Sequence, residues 1–174
     1  MKSKMILIAG LFIAGSAMAA DEATTNPVTE VGAVKITWQE PKQFRDIKSS
    51  GELQSRYEMR MFETLTKELS EEASKSLKPN QKLELVVTDV DLAGDVRPTF
   101  GATPSDLRVV KEIYPPRMTF SYQLLDGEQV VIAGDEKLTN LNFMNDIRPI
   151  NDKPFMHESR LLSKWFDKQV ASKL

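Results

Sequence analysis

Apolar and polar residues recur along this chain with two periods, one of two residues and one of three to four. From Lys82 to Asp91 the run KLELVVTDVD reads as a strand. Leu83, Leu85 and Val87 point one way, and Val86, Val90 and Leu92 point the other, with Thr88 between them. Apolar residues on both faces predict a central strand, covered at least in part on both sides. Asp89 and Asp91 fall on the Leu83 face at the strand's C-terminal end. Upstream, Val34, Ile36 and Trp38 alternate with Lys35 and Thr37, which predicts a half-buried strand stopped by Pro41. Between the two strands, Leu53, Tyr57, Met61, Phe62, Leu65, Leu69, Ala73 and Leu77 recur at helical spacing. Ser50 is the expected N-cap of this helix, and Lys78-Pro79-Asn80 ends it.

Residues 93–116 show no sustained period and are broken by Gly94, Pro98, Gly101, Pro104, Pro115 and Pro116. Within them LRVVKEI (107–113) fits either a short strand or a helical turn. A connection of this length in a small domain is usually a lid, a binding loop or an unrecognised element. Met118, Phe120, Tyr122 and Leu124 then alternate with polar residues. Asp126-Gly127 signals a hairpin, and Val130–Leu138 return as the partner strand with Gly134 a candidate bulge. Residues 139–152 form a second irregular loop. Asp152 caps a closing helix with Pro154 in its first turn, and Phe155, Leu161, Leu162, Trp165, Phe166 and Val170 are its buried side. The order β-α-β-loop-β-β-α predicts an α+β fold of two layers. Its mixed sheet has four to five strands, with two helices packed on one face and a right-handed strand-helix-strand crossover.

Composition changes this picture mainly at the amino end. Lys2 and Lys4 precede the apolar run MILIAGLFIAG, and Ala17-Met18-Ala19 has the small-x-small form of a cleavage site. Residues 1–19 therefore read as a secretory signal peptide too short in its apolar part to span a bilayer. Residues 20–32 read as a flexible linker and 33–174 as a single globular domain. Cleavage would take the 23 basic residues to 21 against 25 acidic ones, a net charge of −4. With no basic run, that balance argues against nucleic acid. There is no cysteine, which removes disulfides, thiolate metal sites, a Cys nucleophile and a lipoprotein anchor. A single histidine, His157, rules out a His-rich zinc site within one chain. The expectation is a soluble protein of a bacterial periplasm, with no membrane span after cleavage.

Three runs, VKITWQEPKQFRDI, TDVDLAGDV and IYPPRMTFSYQLLDGEQVV, together with the leader, resemble the exported proteobacterial proteins grouped as the "domain of unknown function 3016" family. The resemblance spans about Val34 to Phe166. It implies an exported protein with no assigned activity and brings no catalytic or binding residues with it.

Candidate chemistry is sparse. Asp89, Asp91 and Asp95, with Gly94 before the last, superficially suggest a calcium loop. With Asp89 at position 1, Gly94 fits position 6. Position 5 is Ala93, however, and position 12 is Phe100, where a bidentate Glu is required. A looser Ca²⁺ or Mg²⁺ site remains one reading of the three aspartates. Their simpler use is to bond loop backbone or to pair with Arg97, Arg108 or Arg117. Arg97, Arg108, Lys111 and Arg117, with Arg148 from the second loop, would make a small cationic pocket for a carboxylate or phosphate if both loops met. Against that, Asp89, Asp91, Asp95, Asp106 and Glu112 lie close enough in sequence to neutralise them. Phe44, Phe100, Tyr114 and Phe143 would either line a groove or pin loops to the core. His157 has no motif around it that selects a nucleophile, and neither G-x-S-x-G nor a phosphate-cradling Gly-rich loop occurs.

The preferred reading is a non-enzymatic binding or envelope-associated interaction protein. Its contact surface is formed by residues 93–116 and 139–152, with Arg97, Arg108, Tyr114, Arg117 and Arg148 as the candidate surface for an envelope protein or small ligand. No cofactor is expected under it. The second reading is a carboxylate metal-binding protein, or a metal-dependent hydrolase, centred on Asp89, Asp91 and Asp95. A third is a domain that docks by a sheet edge supplied by Val34–Trp38 or Val130–Leu138.

Overall fold

A computed structural model describes residues 26–100, 105–146 and 153–174. The alternating segments form the strands β1 (Val28–Val31), β2 (Val34–Trp38), β3 (Gln81–Asp91), β4 (Asp95–Thr99), β5 (Ser105–Val109), β6 (Arg117–Asp126) and β7 (Gln129–Thr139). The segments of helical period form α1 (Gln54–Ala73) and α2 (Met156–Gln169). Five strands make the main sheet in the order β1-β2-β3-β6-β7, so β3 is its centre. The β2-α1-β3 unit pairs its strands in parallel, Val34 opposite Leu83, and the other neighbours are antiparallel. The fold is α+β, as the element order predicts. Among the described residues no helix is long and apolar enough to cross a membrane.

One face of the sheet carries the core. Val34, Ile36, Trp38, Leu83, Leu85, Val87, Met118, Phe120 and Leu124 are essentially fully buried, and Met61, Phe62, Leu65 and Leu69 of α1 and Leu162 and Phe166 of α2 meet them. Each such side chain contributes about 1.5–3 kcal/mol by leaving water. Trp38 stacks on Phe62 with ring centroids 4.4 Å apart, and Trp165 stands edge-on to both Phe120 and Tyr122 at 4.8 Å. The opposite face is polar and partly open, which is why the intervening residues of β6 are only half-buried. Cover on that face of β3 is only partial, with Glu84 and Val86 half-buried, because both helices lie on the other side.

Several local expectations are corrected. The linker reading of 20–32 does not hold over Val28–Val31, which pair with β2 as an edge strand. Polar side chains fix this strand to α1. The Trp38 indole donates to Thr29 Oγ1 at 2.9 Å, Thr29 shares a 2.6 Å hydrogen bond with Thr66, and Thr66 donates to the Phe62 carbonyl at 2.8 Å. Ser70 adds a hydrogen bond to the Val31 carbonyl. As a result β2 is an interior strand, and of the two proposed docking edges only β7 lies at the edge of the sheet. The helix starts at Gln54 rather than after Ser50. It is Ser49 that accepts from the Gly51 and Glu52 N–H groups, and Leu53 at the N-cap is left 69 % exposed.

The irregular stretch 93–116 contains the β4–β5 hairpin, a two-stranded sheet of its own. Pro98 sits within it because a strand paired on one side only tolerates a missing donor. In β6–β7 the register slips between Leu124 and Leu125, leaving Val131 as the extra residue, so the bulge is not at Gly134. Gly134 stands opposite Tyr122, where a Cβ would come within 3.1 Å of the ring. The last helix begins at Met156, with Phe155 rather than Asp152 at its N-cap. The predicted signal peptide, Asp152 and Arg148 lie outside the described residues.

Two predictions follow from these contacts. Thr29→Val keeps the side-chain volume but leaves the buried Trp38 N–H without its acceptor, and should cost about 1–3 kcal/mol in urea unfolding. Gly94 has φ +91, and a Cβ there would stand 2.8 Å from the Val109 carbonyl oxygen. Gly94→Ala should therefore destabilise by about 1–3 kcal/mol or more. Gly127→Ala, at φ +63 with open space around it, should cost less in the same urea unfolding experiment.

Candidate functional site

The candidate aspartates depend on a kink in β3. Its register against β6 shifts between Val87 and Asp89, which makes Thr88 a bulge. The buried residues accordingly run Leu83, Leu85, Val87, then Val90 and Leu92, with a step of three at the bulge. Asp89 and Asp91 are thereby turned to the face opposite Leu83, correcting their expected side. There Asp89 accepts from the Arg45 backbone N–H at 2.9 Å and faces its guanidinium at 3.3 Å. Asp91 pairs with Arg117, its cross-strand neighbour, at 2.8 Å and with Arg45 at 3.5 Å. Asp95 pairs with Arg97 at 3.0 Å. Among the described residues no three His, Cys, Asp or Glu side chains are grouped to hold a metal ion.

Nor do the candidate cations among the described residues converge. Arg97 holds Asp95 and the Tyr114 hydroxyl, with its guanidinium 5.7 Å from the Tyr114 ring centroid. These neighbours raise its pKa, the Asp95 hydrogen bond most of all. Arg117 is committed to Asp91. Phe44 and Phe143 are buried and pin their loops, whereas Phe100 is 94 % exposed. His157 packs edge-on against Phe143 at 4.9 Å.

Arg108 has a different setting. It reaches from β5 to Asp46 with two hydrogen bonds of 2.9 and 3.3 Å and to the Lys48 carbonyl at 2.9 Å. Burial works against its charge, but hydrogen bonding to Asp46, the Asp46 charge and Tyr57 outweigh it, so its pKa is raised. Arg108 also lines a cleft of about 350 Å³. The opposite walls are Tyr57 and Arg60 of α1, and Lys153, Phe155 and Glu158 at the start of α2. Leu92 and Ala93, at the exit from β3, and Val110 complete the apolar part.

Two features of this cleft are energetically costly. Phe155 holds φ 56 and ψ 28, a left-handed conformation that a bulky residue rarely adopts. Its ring stands edge-on to Tyr57 at 5.3 Å, and the Arg60 guanidinium lies over both rings, 5.5 and 5.3 Å from their centroids. Glu158 is 3 % exposed, with one carboxyl oxygen accepting the Ala93 N–H at 2.7 Å. Burial pushes its pKa up, against the Ala93 N–H, its own backbone N–H and the Arg108 charge. Burial also raises the Tyr57 phenol, which Arg108 partly offsets.

Tyr57, Arg60, Lys153, Phe155 and Glu158 were not legible as site residues. Tyr57 and Phe155 carry the signal of a core stripe, and Glu158 that of an acid in a helix's first turn, which is common for dipole reasons alone.

The raised Glu158 pKa has a testable sign. Above the ordinary glutamate value of 4.5 the unfolded chain ionises Glu158 while the fold still favours the protonated form. Its contribution is complete below 4.5 and is lost as pH rises through the raised folded value. Glu158→Gln keeps an acceptor for Ala93. Its stability in urea, relative to wild type, should therefore increase as pH is raised above the ordinary glutamate value. Parallel profiles would contradict the assignment.

No curated protein and no solved structure matches the chain. Residues 32–168 match the family model described as Protein of unknown function (DUF3016), and the chain belongs to that family.

Proposed function

We propose that this protein is an exported, non-enzymatic binding domain of a bacterial periplasm, and that its ligand site is the cleft between the β4–β5 hairpin and the amino end of α2. The leader-like residues 1–19 and the absence of cysteine support export without disulfides. The observation that carries the binding reading is the cleft itself. It joins apolar walls to a few fixed polar groups, and it coincides with a strained backbone and a buried carboxyl. Strain and buried polar groups accumulate where a protein keeps a site rather than where it optimises packing.

The surface first expected from residues 93–116 and 139–152 narrows under this proposal. The hairpin contributes Arg108 and Val110, but Arg97, Tyr114 and Arg117 are engaged elsewhere. Each aspartate of the metal reading has an arginine partner, and no observation favours that reading over the cleft.

A small-molecule thermal-shift screen on the wild type and Val110→Trp tests the proposal. Val110 is 39 % exposed, so the larger ring can enter the cleft without disrupting the core. A ligand present at 100 times its Kd stabilises by about 2.7 kcal/mol, or roughly 5–10 °C for a chain of this size. Hits on the wild type should lose that shift in the variant. Equal shifts in both proteins would place binding elsewhere, and a screen without hits would count against a binding role.

A further inference from the structure

The charges around the cleft indicate what would enter it. The chain as a whole is acidic, with a net charge of −2. Among the described residues the cleft nevertheless carries Arg60, Arg108 and Lys153 against one acid, Glu158. That acid lies beneath the surface and is occupied by the Ala93 N–H.

The three cations are not equivalent. Arg108 is 15 % exposed and bonded twice to Asp46, so it acts as a clamp between hairpin and body. Arg60 and Lys153 are 44 % and 59 % exposed, and among the described residues each is paired with one acid, Glu52 and Glu68, that is not part of the cleft lining. Exposed pairs of this kind are worth about 0–1 kcal/mol. A ligand anion can therefore share or replace them at little cost. Glu52 engages Arg60 through Nη2, and a guanidinium carries five donors. The face of that guanidinium rests on the Tyr57 and Phe155 rings, which limits its rotation and directs its edge. Met156, His157 and Glu158 at the start of α2 line the same side of the cleft, where the dipole of the helix amino end favours negative charge. Leu92, Val110 and Phe155 supply apolar contact beside these donors.

We infer that the cleft takes a small organic anion, a carboxylate or phosphate on an apolar body, with the charge met by Arg60 and Lys153 and the body by Tyr57, Phe155 and Val110. The inference rests on the cleft being the binding site and names the ligand class for it.

The test is an amide NMR titration of the full chain at low salt, following Ala93, Val110 and His157. The probes are benzoate, phenyl phosphate, inorganic phosphate and the uncharged benzamide. Benzoate or phenyl phosphate should saturate shifts at these amides, and benzamide should bind about tenfold more weakly or worse. Arg60→Gln and Lys153→Gln, both at exposed positions, should each weaken the anionic probe about three- to tenfold and leave benzamide unchanged. Benzoate against phenyl phosphate separates the two head groups. Inorganic phosphate binding as tightly as phenyl phosphate would overturn the apolar body. Benzamide binding as tightly as benzoate, or both variants binding benzoate like wild type, would overturn the anion while leaving the cleft as a site. If no probe moves these amides the anion assignment falls, and the binding reading then stands or falls on the Val110→Trp screen.

Discussion

One guanidinium joins the parts of the molecule that meet at the cleft. Arg108 belongs to β5, yet its hydrogen bonds go to Asp46 and Lys48 in the connection before α1, and Tyr57 of α1 lies against it. β4 and β5 form a separate two-stranded sheet, and a lone hairpin of that size is marginal in water. The Asp46 carboxylate and the Arg108 side chain are 16 % and 15 % exposed, so either charge left alone would be poorly solvated. Arg108 Nε is buried without a partner among the described residues, a cost of about 1–3 kcal/mol that its other hydrogen bonds offset. With the Gly94 N–H bonded to the Tyr114 carbonyl, these contacts set how the hairpin leaves the sheet.

The bulge at Thr88 decides what the hairpin leaves from. Without the extra residue, strict alternation would place Asp89 and Asp91 among the buried side chains and Val90 and Leu92 in water. With it, the aspartates meet Arg45 and Arg117 on the open face, and Val90 and Leu92 stay in the core. Leu92 and Ala93 are then carried onto the helix side, where the Ala93 N–H finds Glu158. One inserted residue thus separates two sets of acids. Those of β3 are neutralised by arginines in the sheet layer, and Glu158 is committed to the backbone beneath the cleft.

Periodicity made much of the fold legible, because a half-buried strand or helix must write its buried side into the sequence. Val34–Trp38, Met118–Leu124 and the stripe from Tyr57 to Ala73 all show this. Where side chains are solvated on both sides the signal fails, as in the β4–β5 hairpin, whose burial pattern has no fully buried position in β4. β1 was missed for a related reason. Only Thr29 of its four residues is buried, and a threonine held by Trp38 and Thr66 looks polar in sequence. The bulge had a readable trace in the spacing of Val87 and Val90, three apart in a strand of period two. The cleft had no such trace. Its residues come from α1, β5 and the approach to α2, each with an ordinary local role.

Three of the costs in this structure meet at one cleft, although Glu40 also holds a positive φ and Trp165 Nε1 is buried without a partner among the described residues. Phe155 in a left-handed conformation, the buried Glu158 carboxyl and the orphan Arg108 Nε all lie around one cleft, while the opposite end of the sheet closes with the Asp126–Gln129 turn. Each element has a cheaper alternative in purely structural terms. An asparagine or glycine accepts the left-handed N-cap, an uncharged side chain could accept the Ala93 N–H, and an apolar residue could fill the place of Arg108 if Asp46 were also replaced. Phe155 supports Arg60 by its ring, Glu158 holds the sheet exit against α2, and Arg108 holds the hairpin over both. Together the three expensive choices fix the walls of one space, and that convergence is what separates a site from a packing defect.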